Sequence, residues 1–208
     1  MLAVVKRLPE FFAQQGERRW HKLGLRELRG LTVGIIGLGD IGGEIARLCR
    51  AFGMRVLGLR RHPRPYEHAD EVLGPDRLHD LLAHSDFVVI TCPLTEETRG
   101  LIGRAELAAM NPDAWLINVA RGAIVDEEAL LEALRERKIG GACLDVFTEE
   151  PLPEDSPFWD LPNVIITPHN SWSSPHIQER EVDLFLDNLR RYVAGEPLLN
   201  VVDKQVGY

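Results

Sequence analysis

Leu31-Thr32-Val33-Gly34-Ile35-Ile36-Gly37-Leu38-Gly39-Asp40-Ile41-Gly42 is the stretch that decides how this chain folds. An apolar, β-type run feeds a Gly-x-Gly-x-x-Gly turn, and a helical pattern follows at Ile41, Ile45, Ala46, Leu48, Cys49 and Phe52. With 18 glycines in 208 residues, loose glycine patterns arise by chance, so the three glycines alone carry little. The order strand, turn, helix carries much more. In that order Gly37 makes the tight turn, Gly39 lets the backbone approach a pyrophosphate, and Gly42 lets helix and strand pack closely. The helix start, over Asp40, Ile41 and Gly42, then faces the phosphates. The alternative is a glycine-rich turn in some other α/β protein.

Outward from that turn, the pattern alternates in the α/β manner. Apolar runs predict strands over 32–36, 55–59, 87–91, 114–119, 141–144 and 164–167. Helical stretches lie between several of them, over 41–52, 76–84, 104–110 and 127–137. Pro75 is a start signal for the second of these, and Asp126 an N-cap for the fourth. Continuous apolar strands such as Phe87-Val88-Val89-Ile90 suit a parallel sheet buried on both faces. The fold class is α/β, a Rossmann-type doubly wound parallel sheet with an N-terminal and a C-terminal helix attached. Residues 1–20 read as an amphipathic helix carrying Leu2, Val5, Leu8 and Phe12, with a kink or restart at Pro9. Ser174-Pro175 opens a last amphipathic helix with Ile177, Val182, Leu184, Phe185, Leu189 and Val193, ending near Gly195. The tail from Pro197 to Tyr208 includes a strand-like segment, 198–202. No internal repeat or low-complexity segment stands out.

Composition narrows the partners. A hydrophobic content of 45% and a charged content of 27% are globular values. A formal charge of −8 argues against nucleic acid or an anionic membrane as partner. The three cysteines, Cys49, Cys92 and Cys143, form no metal-binding or redox pair and sit in apolar runs. Buried thiols in a reducing cytoplasm fit that usage, and nothing points to a metal. No apolar stretch is long enough to span a bilayer, and the N-terminus lacks a signal-peptide pattern.

The end of the second strand bears on cofactor choice. NAD-binding Rossmann units carry an Asp or Glu there, about twenty residues past the glycines, to bond the ribose 2′-hydroxyl. This chain has Gly58-Leu59-Arg60-Arg61-His62-Pro63-Arg64 instead, with no carboxylate. Guanidinium forks match phosphate oxygens bidentately, whereas a carboxylate would repel a 2′-phosphate. Arg60 and Arg61 therefore point to NADP(H) as the preferred cofactor, with NAD(H) an alternative. The plainer account is that one or both are solvent-facing loop charges.

Three further segments each follow a predicted strand: Asn118-Val119-Ala120-Arg121-Gly122, Leu144-Asp145-Val146-Phe147-Thr148-Glu149-Glu150-Pro151 and Thr167-Pro168-His169-Asn170. In a parallel sheet all three fall on the carboxyl edge, where ligands bind. Reducing a 2-keto acid with a nicotinamide needs a cation for the carboxylate and a proton donor for the carbonyl oxygen. An Arg, a His and a carboxylate beside the imidazole supply those parts. Each alone has a bland account, as a solvated cation, a satisfied histidine or a Glu-Pro turn. Their joint order behind a dinucleotide fingerprint favours the functional one.

The chain resembles the D-isomer-specific 2-hydroxyacid dehydrogenase family through GLGDIG, TCPLTEETRGLI (91–102), NVARGAIVDEEAL (118–130), DVFTEEP and TPHN. These motifs are long and collinear, and the resemblance covers about residues 30 to 205. It implies that Arg121 anchors a substrate carboxylate and that His169 is the acid/base. It implies that Glu150, directly before Pro151, pairs with the imidazole and raises its pKa, with Glu149 the competing assignment. It implies that Asp145 holds the nicotinamide carboxamide, that Cys92, Pro93 and Thr98 line the cofactor, and that Ala120 offers backbone contact. Trp172 either walls the substrate pocket or packs in the core.

The resemblance also implies hydride transfer to a small 2-keto acid such as glyoxylate or hydroxypyruvate, by a homodimer. The alternative is a non-catalytic dinucleotide-sensing or protein-interaction module of the same family. Residues 1–27 are expected to be a linking helix and connector, 28–172 the NAD(P)-binding Rossmann domain, and 173–208 a helix and tail returning toward a substrate domain. The family's smaller substrate domain is built mostly from residues preceding the linking helix, where this chain begins. Cofactor binding with poor or no turnover is accordingly the expectation for this chain by itself.

Overall fold

The computed structural model describes residues 1–204. Its strands are β1 (Thr32–Ile36), β2 (Arg55–Leu59), β3 (Glu71–Leu73), β4 (Phe87–Ile90), β5 (Trp115–Asn118), β6 (Gly141–Leu144) and β7 (Val164–Ile166). They form one sheet in the order β3-β2-β1-β4-β5-β6-β7, and every neighbouring pair is parallel. The helices are α1 (Leu2–Val5), α2 (Leu8–Gly16), α3 (Asp40–Ala51), α4 (Leu78–His84), α5 (Arg104–Ala109), α6 (Glu127–Arg135) and α7 (Ile177–Ala194). Strand order reverses at β1, between β2 and β4, so a crevice opens over the carboxyl end of β1.

Side chains alternate across the sheet with a period of two, and the apolar residues sort accordingly. Val33 and Ile35 of β1 join Val56, Phe87 and Val89 in one cluster, with Ala46 and Cys49 of α3 and Val5 of α1. Ile36 joins Leu57, Val88, Ile90, Leu116 and Leu144 in the other, with Leu81 and Leu82 of α4, Leu107 of α5 and Leu130 and Leu134 of α6. Both faces of the central strands are therefore dry, which is why these strands read as continuous apolar runs. Carboxylates tie down the amino ends: Asp86 accepts from Thr32 N at 2.8 Å, and Asp70 accepts from Val56 N at 2.8 Å.

The six predicted strands are all present, within a residue or so at their ends; β3 was not foreseen. Asp126 caps α6 by accepting from Ala129 N at 3.0 Å. Pro75 opens a short 3-10 turn, Pro75–Arg77, that leads into α4. The first helix is a break and restart: α1 ends at Val5, Arg7 takes a left-handed φ of 51°, and Pro9 sits in the first turn of α2. A proline has no N–H to lose in a first turn, so the interruption falls before it rather than at it. Residues 17–20 of the predicted helix lie beyond the end of α2, and Trp20 is exposed.

One expectation fails. The segment 198–202 is no strand, because it reaches no sheet edge and its backbone finds another partner. Asn188 of α7 accepts from Leu199 N at 2.7 Å and donates to Leu199 O at 3.1 Å, folding the tail back along the helix. Residues 205–208 of that tail fall outside the described residues. Gly195, at a left-handed φ of 71°, ends α7 as the sequence suggests. No residue of α7 is buried, and Phe185, Tyr192 and Val193 are exposed.

Candidate active site

The glycine turn has the shape that a phosphate needs. Gly37 sits at φ 100°, and a Cβ there would lie 2.4 Å from Cys92 N, so only glycine fits between β1 and the loop after β4. Thr91 Oγ1 donates to Gly37 O at 2.7 Å and holds the turn from the β4 side. At Gly42 a Cβ would lie 2.2 Å from Gly37 O and 3.1 Å from Ile35 Cγ2, which sets how closely α3 approaches β1. At Gly39, the N-cap of α3, a Cβ would meet nothing within 4 Å. The space beside Gly39 is thus open, and the first N–H groups of the adjoining α3, at Asp40, Ile41 and Gly42, lack intrahelical acceptors. The residues therefore fit a pyrophosphate, with the positive end of the helix dipole behind it.

Arg60 and Arg61 follow directly on β2, at the rim of the same crevice. Arg60 N donates to Leu73 O at 3.1 Å, so the unforeseen β3 fixes where this arginine pair leaves the sheet. The Arg61 guanidinium is engaged by Glu97 of the loop after β4. That loop is closed by threonines: Thr98 Oγ1 donates to Pro93 O at 2.7 Å and accepts from Thr95 N at 2.8 Å. Cys92 is buried under Gly37, and burial pushes its thiol up to about 11, so it packs as an apolar group. Pro93 is exposed on the same rim.

The remaining predicted residues come from the ends of β5, β6 and β7. Arg121 follows β5, exposed, with Nη1 donating to Ala120 O at 2.6 Å. Its loop is pinned by Asn118, which donates to Arg121 O at 2.9 Å and accepts from Ala120 N at 3.0 Å. Gly122 lies so close to the next loop that a Cβ would fall 2.0 Å from the Phe147 carbonyl carbon. Arg121 is thereby drawn toward the segment that bears Glu150.

Glu150 Oε2 stands 2.6 Å from His169 Nδ1, and Glu150 Oε1 accepts from Phe147 N at 2.9 Å. The Glu150–Pro151 peptide is cis. Burial pushes the Glu150 carboxyl up. Hydrogen bonds from His169 and Phe147, with the charges of His169 and Arg121, outweigh burial and hold it below the ordinary carboxylate value. Of the two candidate carboxylates, Glu150 is the one on the imidazole; Glu149 faces a neighbouring groove with Glu127 and Asp155.

His169 itself takes a left-handed φ of 49°, unusual for a residue with a Cβ. Three bonds hold it there: its N–H donates to Asp145 O at 2.8 Å and Thr167 O at 3.1 Å, and Trp172 Nε1 donates to its carbonyl at 2.9 Å. Asp145 is buried and fully engaged in this turn. It accepts from the Thr167 hydroxyl, from Asn170 N at 3.0 Å and from Ser171 N at 3.0 Å. Burial raises its pKa, but these donors prevail and hold the carboxyl below its ordinary value. The Ser171 side chain donates as well, so the roughly four acceptor sites of the carboxylate are taken within the turn. Trp172 is an exposed brace on the His169 turn rather than a core residue.

Asp145, Glu150, Thr167 and His169 line one side of a cleft of about 480 Å³, and Phe147, Leu152, Trp159 and Ile166 form its apolar wall. With Nδ1 of the imidazole taken by Glu150, Nε2 is the nitrogen left for a ligand. Sequence reasoning missed Thr91, Asn118, Thr167 and Glu97, which orient the turn, the Arg121 loop, Asp145 and Arg61. Asn118 carried a usable signal, since a polar residue ending an apolar strand must find partners when buried.

Comparison with known proteins agrees with this fold. Residues 1–171 match the family model described as D-isomer specific 2-hydroxyacid dehydrogenase, NAD binding domain. A glyoxylate reductase from Thermococcus gammatolerans is 42% identical over 217 residues, covering 99% of this chain and 64% of that protein. Across the curated relatives, the chain spans from 39% to 66% of their length. A solved D-isomer specific 2-hydroxyacid dehydrogenase from Xanthobacter autotrophicus Py2, in complex with NADPH and MES, superimposes with a TM-score of 0.91 at 42% identity. It covers 100% of this chain and 85% of that one. An NADPH-dependent glyoxylate/hydroxypyruvate reductase from Sinorhizobium meliloti, in complex with NADP and sulfate, gives a TM-score of 0.91 at 35% identity, covering 100% and 66%.

Proposed function

The chain belongs to the D-isomer-specific 2-hydroxyacid dehydrogenase family, and from that premise we propose that it is the cofactor-binding part of a reductase for a small 2-keto acid such as glyoxylate or hydroxypyruvate. NADP(H) is the preferred cofactor and NAD(H) the alternative. The observation that carries this reading is the Glu150–His169 pair at 2.6 Å on the carboxyl rim of a sheet whose first strand feeds the glycine turn. When bound along that rim, NADPH would supply the hydride that reduces the keto carbon.

The chain's own groups supply the rest. Arg121 takes the substrate carboxylate in a charge-assisted contact and fixes which way the keto carbon faces. His169, protonated, donates from Nε2 to the carbonyl oxygen as the carbon is reduced, so the alkoxide never builds up. Glu150 receives Nδ1–H, orients the ring and offsets its charge. Asp145 braces the His169 turn, and it is also assigned the cofactor's carboxamide, which would displace one of the turn's own donors. Lining by Cys92, Pro93 and Thr98 and a backbone contact at Ala120 complete the assignment.

We read residues 1–27 as connector, 28–172 as the Rossmann domain and 173–208 as the segment that returns toward a substrate domain. A homodimer is in keeping with the exposed apolar residues on α2 and α7, and a cytoplasmic setting with three free thiols. Titration of the chain with NADPH and NADH, followed by glyoxylate- and hydroxypyruvate-dependent NADPH oxidation by a version that carries the N-terminal substrate domain, tests the reading. His169→Ala is expected to lower turnover at least about a hundredfold, in the range of a lost general acid, while NADPH still binds. A loss under about tenfold overturns the assigned acid. Binding of dinucleotide without any keto-acid-dependent oxidation would favour the sensing-module reading.

A further inference from the structure

Arg61 stands just beyond β2 and Glu97 in the loop beyond β4, while β1 lies between those strands. The ion pair between Arg61 and Glu97 therefore passes over the carboxyl end of β1, across the rim above the glycine turn. The loop that presents Glu97 is held in shape by the Thr95–Thr98 and Thr98–Pro93 hydrogen bonds, so the carboxylate is offered from a closed turn. Glu97 is largely in solvent and Arg61 nearly half so, with 68% and 44% of their side chains exposed. A pair of that kind is weak and yields to a stronger anion. A 2′-phosphate is such an anion, with more charge than a carboxylate and oxygens matched to the guanidinium fork. A 2′-hydroxyl is not.

We propose that Glu97 is a specificity-determining residue for the cofactor: an internal anion that holds Arg61 at the rim and must release it to a 2′-phosphate. Glu97 thereby weakens binding of the phosphorylated cofactor and leaves the unphosphorylated one unaffected, narrowing the preference that the arginines create. This rests on the reading of the crevice as a dinucleotide site.

The test uses the full chain, calorimetric titration, and three probes: NADPH, NADH and adenosine 2′,5′-bisphosphate. Glu97→Gln is expected to tighten NADPH and the bisphosphate about two- to fivefold at low salt, the range of an exposed ion pair, and less at high salt. NADH affinity is expected to stay unchanged. In an Arg61→Gln background, the same substitution is expected to have no effect on NADPH, because the competed guanidinium is gone. Glu97→Gln weakening NADPH, leaving it unchanged, tightening NADH equally, or acting undiminished without Arg61 each overturns the proposal. Failure of the unmodified chain to bind either dinucleotide overturns the dinucleotide reading itself, so the two failures are told apart.

Discussion

Two neighbouring glycines of one turn are expected to respond oppositely to the same methyl group. At Gly42 an added Cβ would lie 2.2 Å from Gly37 O, 2.9 Å from Thr91 Oγ1 and 3.1 Å from Ile35 Cγ2. Two of those atoms belong to the turn and the hydroxyl that latches it, so α3 must move away from β1. Overpacking of that kind costs about 1–3 kcal/mol, and alanine's better helix propensity offsets at most about 1. A net loss of about 1–2 kcal/mol lowers the melting temperature of a chain this size by about 2–8 °C. At Gly39 the φ is −97° and a Cβ meets nothing within 4 Å, so alanine folds without a clash. Its cost is that of a poorer N-cap, under about 1 kcal/mol. The methyl would instead fill the space proposed for the pyrophosphate, and a loss of about 1.4 kcal/mol or more there is at least a tenfold weaker NADPH complex. Thermal melting and NADPH titration of Gly39→Ala and Gly42→Ala separate the effects. Gly39→Ala that binds NADPH as tightly as the unmodified chain would refute the placement of the phosphates. Gly42→Ala that melts with the unmodified chain would refute the close packing of α3.

Asp145 is the second point of leverage. Its carboxyl is held below its ordinary value of 3.8 by the donors of the His169 turn, so the folded chain binds fewer protons than the unfolded one in mild acid. The stability it contributes is complete above about pH 5 and lost as pH falls through the folded value. Urea midpoints from about pH 7 down to 3 should show a decline that is shallower in Asp145→Asn. An equally steep decline in the variant would assign it to other carboxylates. Asp126→Ala removes the cap of α6 and is expected to cost about 1 kcal/mol, read as a melting temperature lower by about 2–4 °C. An unchanged melting temperature would mean that water replaces the cap.

Most of the sheet was legible because it is buried on both faces. Phe87-Val88-Val89-Ile90 has no choice of face to hide, so the whole run is apolar and stands out. β3 was not legible for the opposite reason. Glu71-Val72-Leu73 is a three-residue edge strand with one buried side chain, and Pro63 through Asp70 before it reads as irregular. Its place is set by Leu57, Gly58 and Leu59 of β2, whose backbone it pairs with, and not by any pattern of its own. The tail failed likewise: 198–202 has strand-like residues, but strandedness belongs to a pair of segments, and Asn188 offered its backbone a nearer partner.

The site divides along the same line. Residues proposed to act on a ligand were readable because chemistry restricts their type: a guanidinium after β5, an imidazole after β7, and a glycine where a phosphate would approach. Residues that aim them were not, because their identity is set by which donors happen to face them once the strands are in register. Thr167 matters only because β6 and β7 place its hydroxyl against Asp145, and Glu97 only because β4 lies one strand away from β2 across the glycine turn. The Glu149–Glu150 ambiguity shows where the boundary falls. Both are carboxylates in one motif, and sequence alone ranks them by resemblance. In the fold, Phe147 N and His169 Nδ1 converge on the two oxygens of Glu150, leaving Glu149 to the neighbouring groove. Glu150→Gln should therefore impair turnover far more than Glu149→Gln.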